Sequence, residues 1–221
     1  MSIFPKHIKT VKILPIAFLI LFAGHLSFSQ PANPPVKYGI DVSFGVPSGL
    51  KPGDAAPYFT AKDVGGKVVK LSEELKNGPV VIIFYRGEWC PVCNRYLSNF
   101  QDSLSYVEGE GAKVLAVAPE KPSSAQEMIN KTGATFTVIP DPTEEIMKSY
   151  KVFFNVTEAY QQKIRNSLEA DIATNNDKKD AALPVPATYI INQEGIIVYR
   201  QFDLDYHKRA SIKDIIDNLP K

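Results

Sequence analysis

Continuous apolar runs alternate with amphipathic stretches through most of the chain. Pro79 to Tyr85 (PVVIIFY) is unbroken, β-branched and aromatic, the pattern of a strand buried on both faces. After it, Tyr96, Leu97, Phe100, Leu104 and Val107 recur at helical spacing. Lys113 to Ala118 (KVLAVA) predicts a second buried strand and Thr135 to Ile139 a third. Between them, Ser124 and Glu127 read as a capping box that opens a helix, and Gly133 closes it. Asp141-Pro142 predicts the start of another helix, through Tyr150. Strand–helix–strand–helix order implies parallel strands with right-handed crossovers.

Ala187 to Ile191 and Ile196 to Arg200 flank Asn192-Gln193-Glu194-Gly195, an antiparallel hairpin, and Ile212, Ile215, Ile216 and Leu219 stripe a last helix. Earlier, Ala61 to Leu71 reads as a hairpin turning at Gly65-Gly66, with Ser72 capping a brief helix stopped by Gly78-Pro79. The predicted fold class is α/β, a mixed central sheet flanked by helices. The polar stretch 153–182 predicts a helical insertion ending in a solvated loop, and Asp203 to Arg209 a solvated turn into the last helix.

The N-terminus has a different pattern. Lys6, Lys9 and Lys12 precede an uncharged apolar run from Ile13 to Gly24, followed by the small-residue exit Ser27-Phe28-Ser29. This describes a secretory signal peptide over residues 1–29. The run is shorter than the roughly 20 residues a bilayer span needs, although a retained anchor is the alternative. The expectation is an exported protein, periplasmic or secreted, with no stable membrane association after signal removal. Pro31, Pro34, Pro35 and Pro47 predict an extended leader over 30–48, ahead of one domain at 49–221.

Composition narrows the chemistry. With 221 residues, 44% hydrophobic and 22% charged, the chain has ordinary globular usage. Lys+Arg 25 against Asp+Glu 24 provides no basic field for nucleic acid. No glycine-rich phosphate loop is present, so no nucleotide cofactor is expected. The only cysteines are Cys90 and Cys93, and beyond residue 29 the only histidine is His207. Zinc takes four ligands, so no metal is expected.

Cys90-Pro91-Val92-Cys93 falls where a buried strand ends and an amphipathic helix begins. Cys90 would be the helix N-cap and Pro91 its first residue, and free backbone N–H groups there favour a thiolate. Arg86 and Arg95 would add positive charge, and Glu88 would oppose it. Cys93 would lie nearly one turn on, with its Cα about 5 Å away, within disulfide range. A purely structural disulfide closing so short a loop would contribute only about 2 kcal/mol. Redox chemistry is the favoured reading.

Tyr-Arg-Gly-Glu-Trp-Cys-Pro-Val-Cys at 85–93 resembles the active site of the thioredoxin superfamily. Gly53-Asp54-Ala55-Ala56-Pro57-x-Phe59 looks like the opening of the alkyl hydroperoxide reductase/thiol-specific antioxidant family. With Leu-Pro-Val-Pro-Ala-Thr-Tyr at 183–189, the chain is similar to its peroxiredoxin-like branch from about Gly49 to Leu219. The resemblance implies a thioredoxin-like fold and thiol-based reduction of hydroperoxides, with a thioredoxin-like dithiol as electron donor. Carried over, Cys90 is the nucleophile, Cys93 the resolving thiol and Pro186 the superfamily's cis-proline. Trp89 covers the pair, and Arg86 supports the thiolate or a bound peroxide.

The chain also departs from that pattern. With Cys90 as the nucleophile, Gly87 and Ile83 stand where peroxiredoxins carry Thr or Ser and Pro, and Pro186 falls at their peroxide-orienting arginine. Phe84 replaces the buried carboxylate of thioredoxin. Reduction of disulfides in exported proteins is therefore the alternative function, and a non-enzymatic binding module on the same fold is a third.

Overall fold

A computed structural model of the chain describes Met1 and residues 34–221. The expected signal segment lies outside the described residues, apart from Met1.

The leader is not extended throughout. Pro34–Lys37 forms a short helix, α1, and Val42–Phe44 a single 3-10 turn. Pro34 and Pro35 occupy the first turn of α1, where an N–H has no intrahelical partner to lose. Ile40 then bridges Val156 and is fully buried.

The predicted hairpin is present as β1 (Thr60–Lys62) and β2 (Val68–Lys70). Helix α2 (Leu71–Glu74) follows directly, so Ser72 lies inside its first turn and Lys70 is the N-cap, without a side-chain cap. The strand predicted at 79–85 is β3 (Val80–Phe84), and the cysteine helix divides at Ser103 into α3 (Pro91–Asp102) and α4 (Leu104–Gly109). Strand β4 spans Lys113–Ala118, as predicted.

Helix α5 (Pro122–Thr132) begins ahead of the expected capping box. Pro122 takes its first position and Ser124 is buried within it, while Gly133 closes it in the left-handed conformation at φ 69°. Strand β5 is Thr137–Pro140. Asp141-Pro142 forms a turn rather than a helix start, and α6 is confined to Glu145–Ser149. The Asp141 carboxylate is used locally, accepting from the backbone N–H of Met147 at 3.0 Å.

The 153–182 segment is more ordered than its polarity suggests. It opens with β6 (Phe153–Asn155) and runs through α7 (Glu158–Leu168) and α8 (Ile172–Asn175) to β7 (Ala182–Pro184). β6 and β7 pair antiparallel with each other as a separate sheet. The chain then enters β8 (Ala187–Ile191), β9 (Ile197–Phe202) and α9 (Ile212–Asp217).

The main sheet has five strands in the order β5-β4-β3-β8-β9. β3, β4 and β5 are parallel, while β8 runs antiparallel to β3 and β9 to β8. Alternate residues of β3 feed two separate cores. Val81 and Ile83 pack with Leu97, Phe100, Met128 and Ile215 on one face, and Val80, Ile82 and Phe84 with Leu71, Ile146 and Met147 on the other. Strands buried on both faces account for the unbroken apolar runs.

This topology gathers chemistry at one end of the sheet. The parallel strands β3 and β4 deliver residues 85–90 and Glu120 from their C-terminal ends. The pairing Ile83↔Thr188 puts Pro186 at that same end, and Ala187↔Phe202 returns residues 203–209 there.

The burial of Ile40 generates a test. Ile40→Ala should cost about 2–4 kcal/mol of stability by urea denaturation, as a buried large-to-small change does. A loss under about 0.5 kcal/mol, ordinary for a surface site, would show that the leader does not help to hold the fold.

Candidate active site

Cys90 is the N-cap of α3, with extended backbone angles (φ −89°, ψ 105°), and Pro91 is the first helical residue. Its sulfur accepts from the backbone N–H of Cys93 at 3.3 Å and from the Arg86 guanidinium at 3.1 Å. Both cysteines are reduced and fully buried. The Cys93 sulfur has its own guanidinium, Arg209, at 3.3 Å.

Arg86 is only 3% exposed. One terminal nitrogen reaches Cys90 and the other donates to the Tyr160 hydroxyl at 2.6 Å. The guanidinium lies 3.6 Å from the ring centre of Tyr206 and 5.1 Å from that of Trp89, favourable placements for a desolvated cation. Burial opposes its charge, but Cys90, Cys93 and Tyr160 more than offset this and keep it protonated. Arg86 Nε and Trp89 Nε1 are buried and find no acceptor among the described residues.

The two thiols ionise as a unit. Burial, then the hydrogen bond and charge of Cys93, pushes Cys90 well above the ordinary thiol range, against the pull of Arg86. Burial also resists ionisation of Cys93, but the hydrogen bond from Cys90 and the charges of Arg209 and Arg86 outweigh it and draw Cys93 well down. Of the two sulfurs, negative charge is therefore favoured on Cys93 over Cys90. The guanidinium and amide donors on Cys90 are in place to receive that charge when the Cys90 proton crosses to Cys93.

A buried acid stands behind the pair. Glu120 follows β4 and has no exposed surface. It accepts from the Tyr85 hydroxyl, from the backbone N–H of Glu88 at 2.7 Å and from Asn175 at 3.4 Å. Burial raises its carboxyl to about 7 despite those bonds. Glu120 thus ties the loop before Cys90 to α8.

The predicted residues Cys90, Cys93, Arg86 and Trp89 converge. Pro186 is buried at the same end of the sheet, but no cis peptide bond is present, so the expected cis-proline is a trans one. Val185 N–H bonds the Val152 carbonyl at 2.7 Å, continuing the β7 pairing into β8 in extended form. Arg95, proposed alongside Arg86, makes no recorded contact with the sulfurs.

Two other expectations are revised. Within the 203–209 turn, Lys208 and His207 pair with Asp203 and Asp205 at the surface, whereas Tyr206 and Arg209 turn inward to Arg86 and Cys93. The insertion contributes Tyr160 and Asn175. No local motif announces these residues, because each is delivered by long-range packing. Gly87 has a structural reason. Its φ is +149°, and a Cβ there would lie 2.6 Å from Trp89 Nε1 and 3.2 Å from Asn175 Nδ2. A threonine would displace the indole from the cysteine loop.

A mixed sheet with a dithiol at the N-terminus of the helix after its central strand defines a thioredoxin-fold protein of the thiol-redox class. The chain belongs to the AhpC/TSA family, whose profile matches residues 52–200. Among curated proteins it is similar to the chloroplastic peroxiredoxin Q of Populus jackii, 28% identical over 195 residues, covering 87% of this chain and 78% of that one. It is also similar to a putative peroxiredoxin of Mycobacterium tuberculosis, 26% identical over 155 residues, covering 70% and 87%. Among solved structures, PrxQ of Xylella fastidiosa superposes with TM-score 0.60 at 18% identity, covering 77% and 95%. Peroxidoxin BcpB of Mycobacterium tuberculosis gives 0.59 at 16% identity, covering 76% and 96%. These structures share the fold.

The raised carboxyl of Glu120 predicts a pH dependence. Its proton is bound more tightly in the folded protein than in the unfolded chain, where the ordinary value of 4.5 applies. Its contribution to stability is therefore fully present below that value and is lost as pH rises to about 7. Asp141, raised by burial to about 6, acts in the same direction, so the test is a difference between proteins. Glu120→Gln should remove up to about 3 kcal/mol of the pH-dependent loss in urea melts across this window. Parallel stability curves for the two proteins would show that Glu120 titrates normally.

Proposed function

We propose that this chain is a thiol peroxidase in which Cys90 attacks a hydroperoxide and Cys93 resolves the product. The observation that carries the reading is the pair of fully buried sulfurs with a guanidinium on each. A small hydroperoxide can reach the enclosed sulfurs with less opening of the cysteine loop than exchange with another protein requires. Family membership supports the same choice.

The steps balance. The Cys90 proton moves to Cys93, leaving Cys90 as thiolate. Its sulfur attacks the terminal peroxide oxygen, forming the S–O bond as the O–O bond breaks. The departing alkoxide or hydroxide takes the Cys93 proton and leaves as alcohol or water. The Cys93 thiolate then attacks Cys90, closing the disulfide and expelling hydroxide, which is protonated from solvent. Two sulfurs lose two electrons and the peroxide gains them. Arg86 faces the developing charge, and its Nε and Trp89 Nε1 offer spare donors to an incoming oxygen.

A thioredoxin-type dithiol would reset the disulfide. A polar cleft of about 630 Å³ opens beside Trp89, lined by Glu88, Lys131, Asp171 and Asn175, and gives an approach to the cysteine loop. Export, directed by the apolar segment after Lys12, belongs to the same proposal and places the donor outside the cytoplasm.

Trp89, the only tryptophan, adjoins Cys90 and reports the reaction. In stopped flow, the pre-reduced protein should show a fluorescence change with hydrogen peroxide or an organic hydroperoxide far faster than a free thiol reacts, and Cys90→Ser should abolish it. Arg86→Lys, which cannot hold Cys90 and Tyr160 together, should slow this phase roughly a hundredfold. Peroxide rates no better than a free thiol, with rapid reaction at a small disulfide, would make the protein a thiol–disulfide oxidoreductase instead.

A further inference from the structure

Each sulfur has its own arginine, and the two arrive by different routes. Arg86 comes from the loop after β3, four residues before Cys90. Arg209 comes from the turn after β9, far along the chain from its partner. Its Nε donates to the Tyr206 carbonyl at 2.7 Å, and its guanidinium lies 5.3 Å from the ring centre of Tyr96 on α3. These anchors hold the charge in place independently of the sulfur it meets at 3.3 Å. The groups that face Cys93 are Cys90, Arg86, Arg209 and the buried Tyr85. Of these, only Arg209 is a cation that bonds the Cys93 sulfur without also bonding Cys90.

We infer that Arg209 is a second catalytic arginine, dedicated to the resolving step, which holds Cys93 as a thiolate poised to attack the oxidised Cys90 sulfur. This deepens the peroxidase reading and rests on it for the identity of the oxidant. After Cys90 becomes a sulfenic acid, it no longer competes for the negative charge. Arg209 then stabilises the charge on Cys93 while the S–S bond forms and hydroxide leaves. Without it, negative charge would shift towards Cys90 and Arg86. The two chemical steps would then change relative to one another, which a general loss of structure would not produce.

One measurement needs no oxidant. In the Cys90→Ser protein only Cys93 titrates by thiolate absorbance at 240 nm. Adding Arg209→Leu should move that titration upward by about one pH unit or more, and Arg209→Lys should restore part of the difference. The second uses the intact cysteine pair. With a hydroperoxide, Arg209→Leu should slow disulfide closure at least about tenfold relative to the first phase, so that a sulfenic acid accumulates and is trapped by a dimedone probe. An unmoved Cys93 titration, or equal slowing of both phases, overturns the inference. Absence of a peroxide phase in the unsubstituted protein overturns the peroxidase reading, and the titration then decides the role of Arg209 alone.

Discussion

The site depends on accommodating negative charge on sulfurs that water does not reach. Desolvating a thiolate is costly, and a buried charge persists only when it is paired and hydrogen-bonded. Arg86 and Arg209 supply the pairing, and the Cys93 amide in the first turn of α3 adds a bond to Cys90. Most of the neighbouring architecture secures those two cations. Tyr206 and Trp89 flank Arg86 with their rings, Tyr160 accepts from its second arm, and Tyr96 lies against Arg209.

The packing around Arg86 follows from the same constraint. Gly87 leaves the space that the Trp89 indole occupies. The indole in turn lies over Arg86. Gly87, the indole and the buried guanidinium are thus packed as one unit. An approaching disulfide would need an open groove beside the cysteines, whereas the sulfurs here are enclosed.

The sequence made the frame and the centre of the site legible. Runs such as KVLAVA can be satisfied only by a strand buried on both faces, and β4 matches it residue for residue. Cys90 and Pro91 announced a helix N-terminus through backbone rules that act locally. Helix starts at Ser124 and Asp141 were misplaced because Pro122 opens one helix earlier and a turn precedes the other. What stayed hidden was the surrounding shell. Tyr160, Asn175, Tyr206 and Arg209 lie on polar segments whose local pattern resembles that of a solvated surface. Glu120 is a single acid at a strand end, and its burial depends on what α8 and Tyr85 bring to it.

The separate pairing of β6 with β7 has a consequence for how such a protein can diversify. The feet of the 156–181 excursion grip each other, Phe153 opposite Pro184 and Asn155 opposite Ala182, rather than lengthening the main sheet. Closing a loop at its base fixes its ends whatever its length, and extra residues add little entropic cost. The excursion is thus a cassette that can be exchanged with little disturbance to the strands that hold the cysteines. Because it carries Tyr160, the partner of Arg86, exchanging it would retune the electrostatics of the sulfur pair from outside the main sheet.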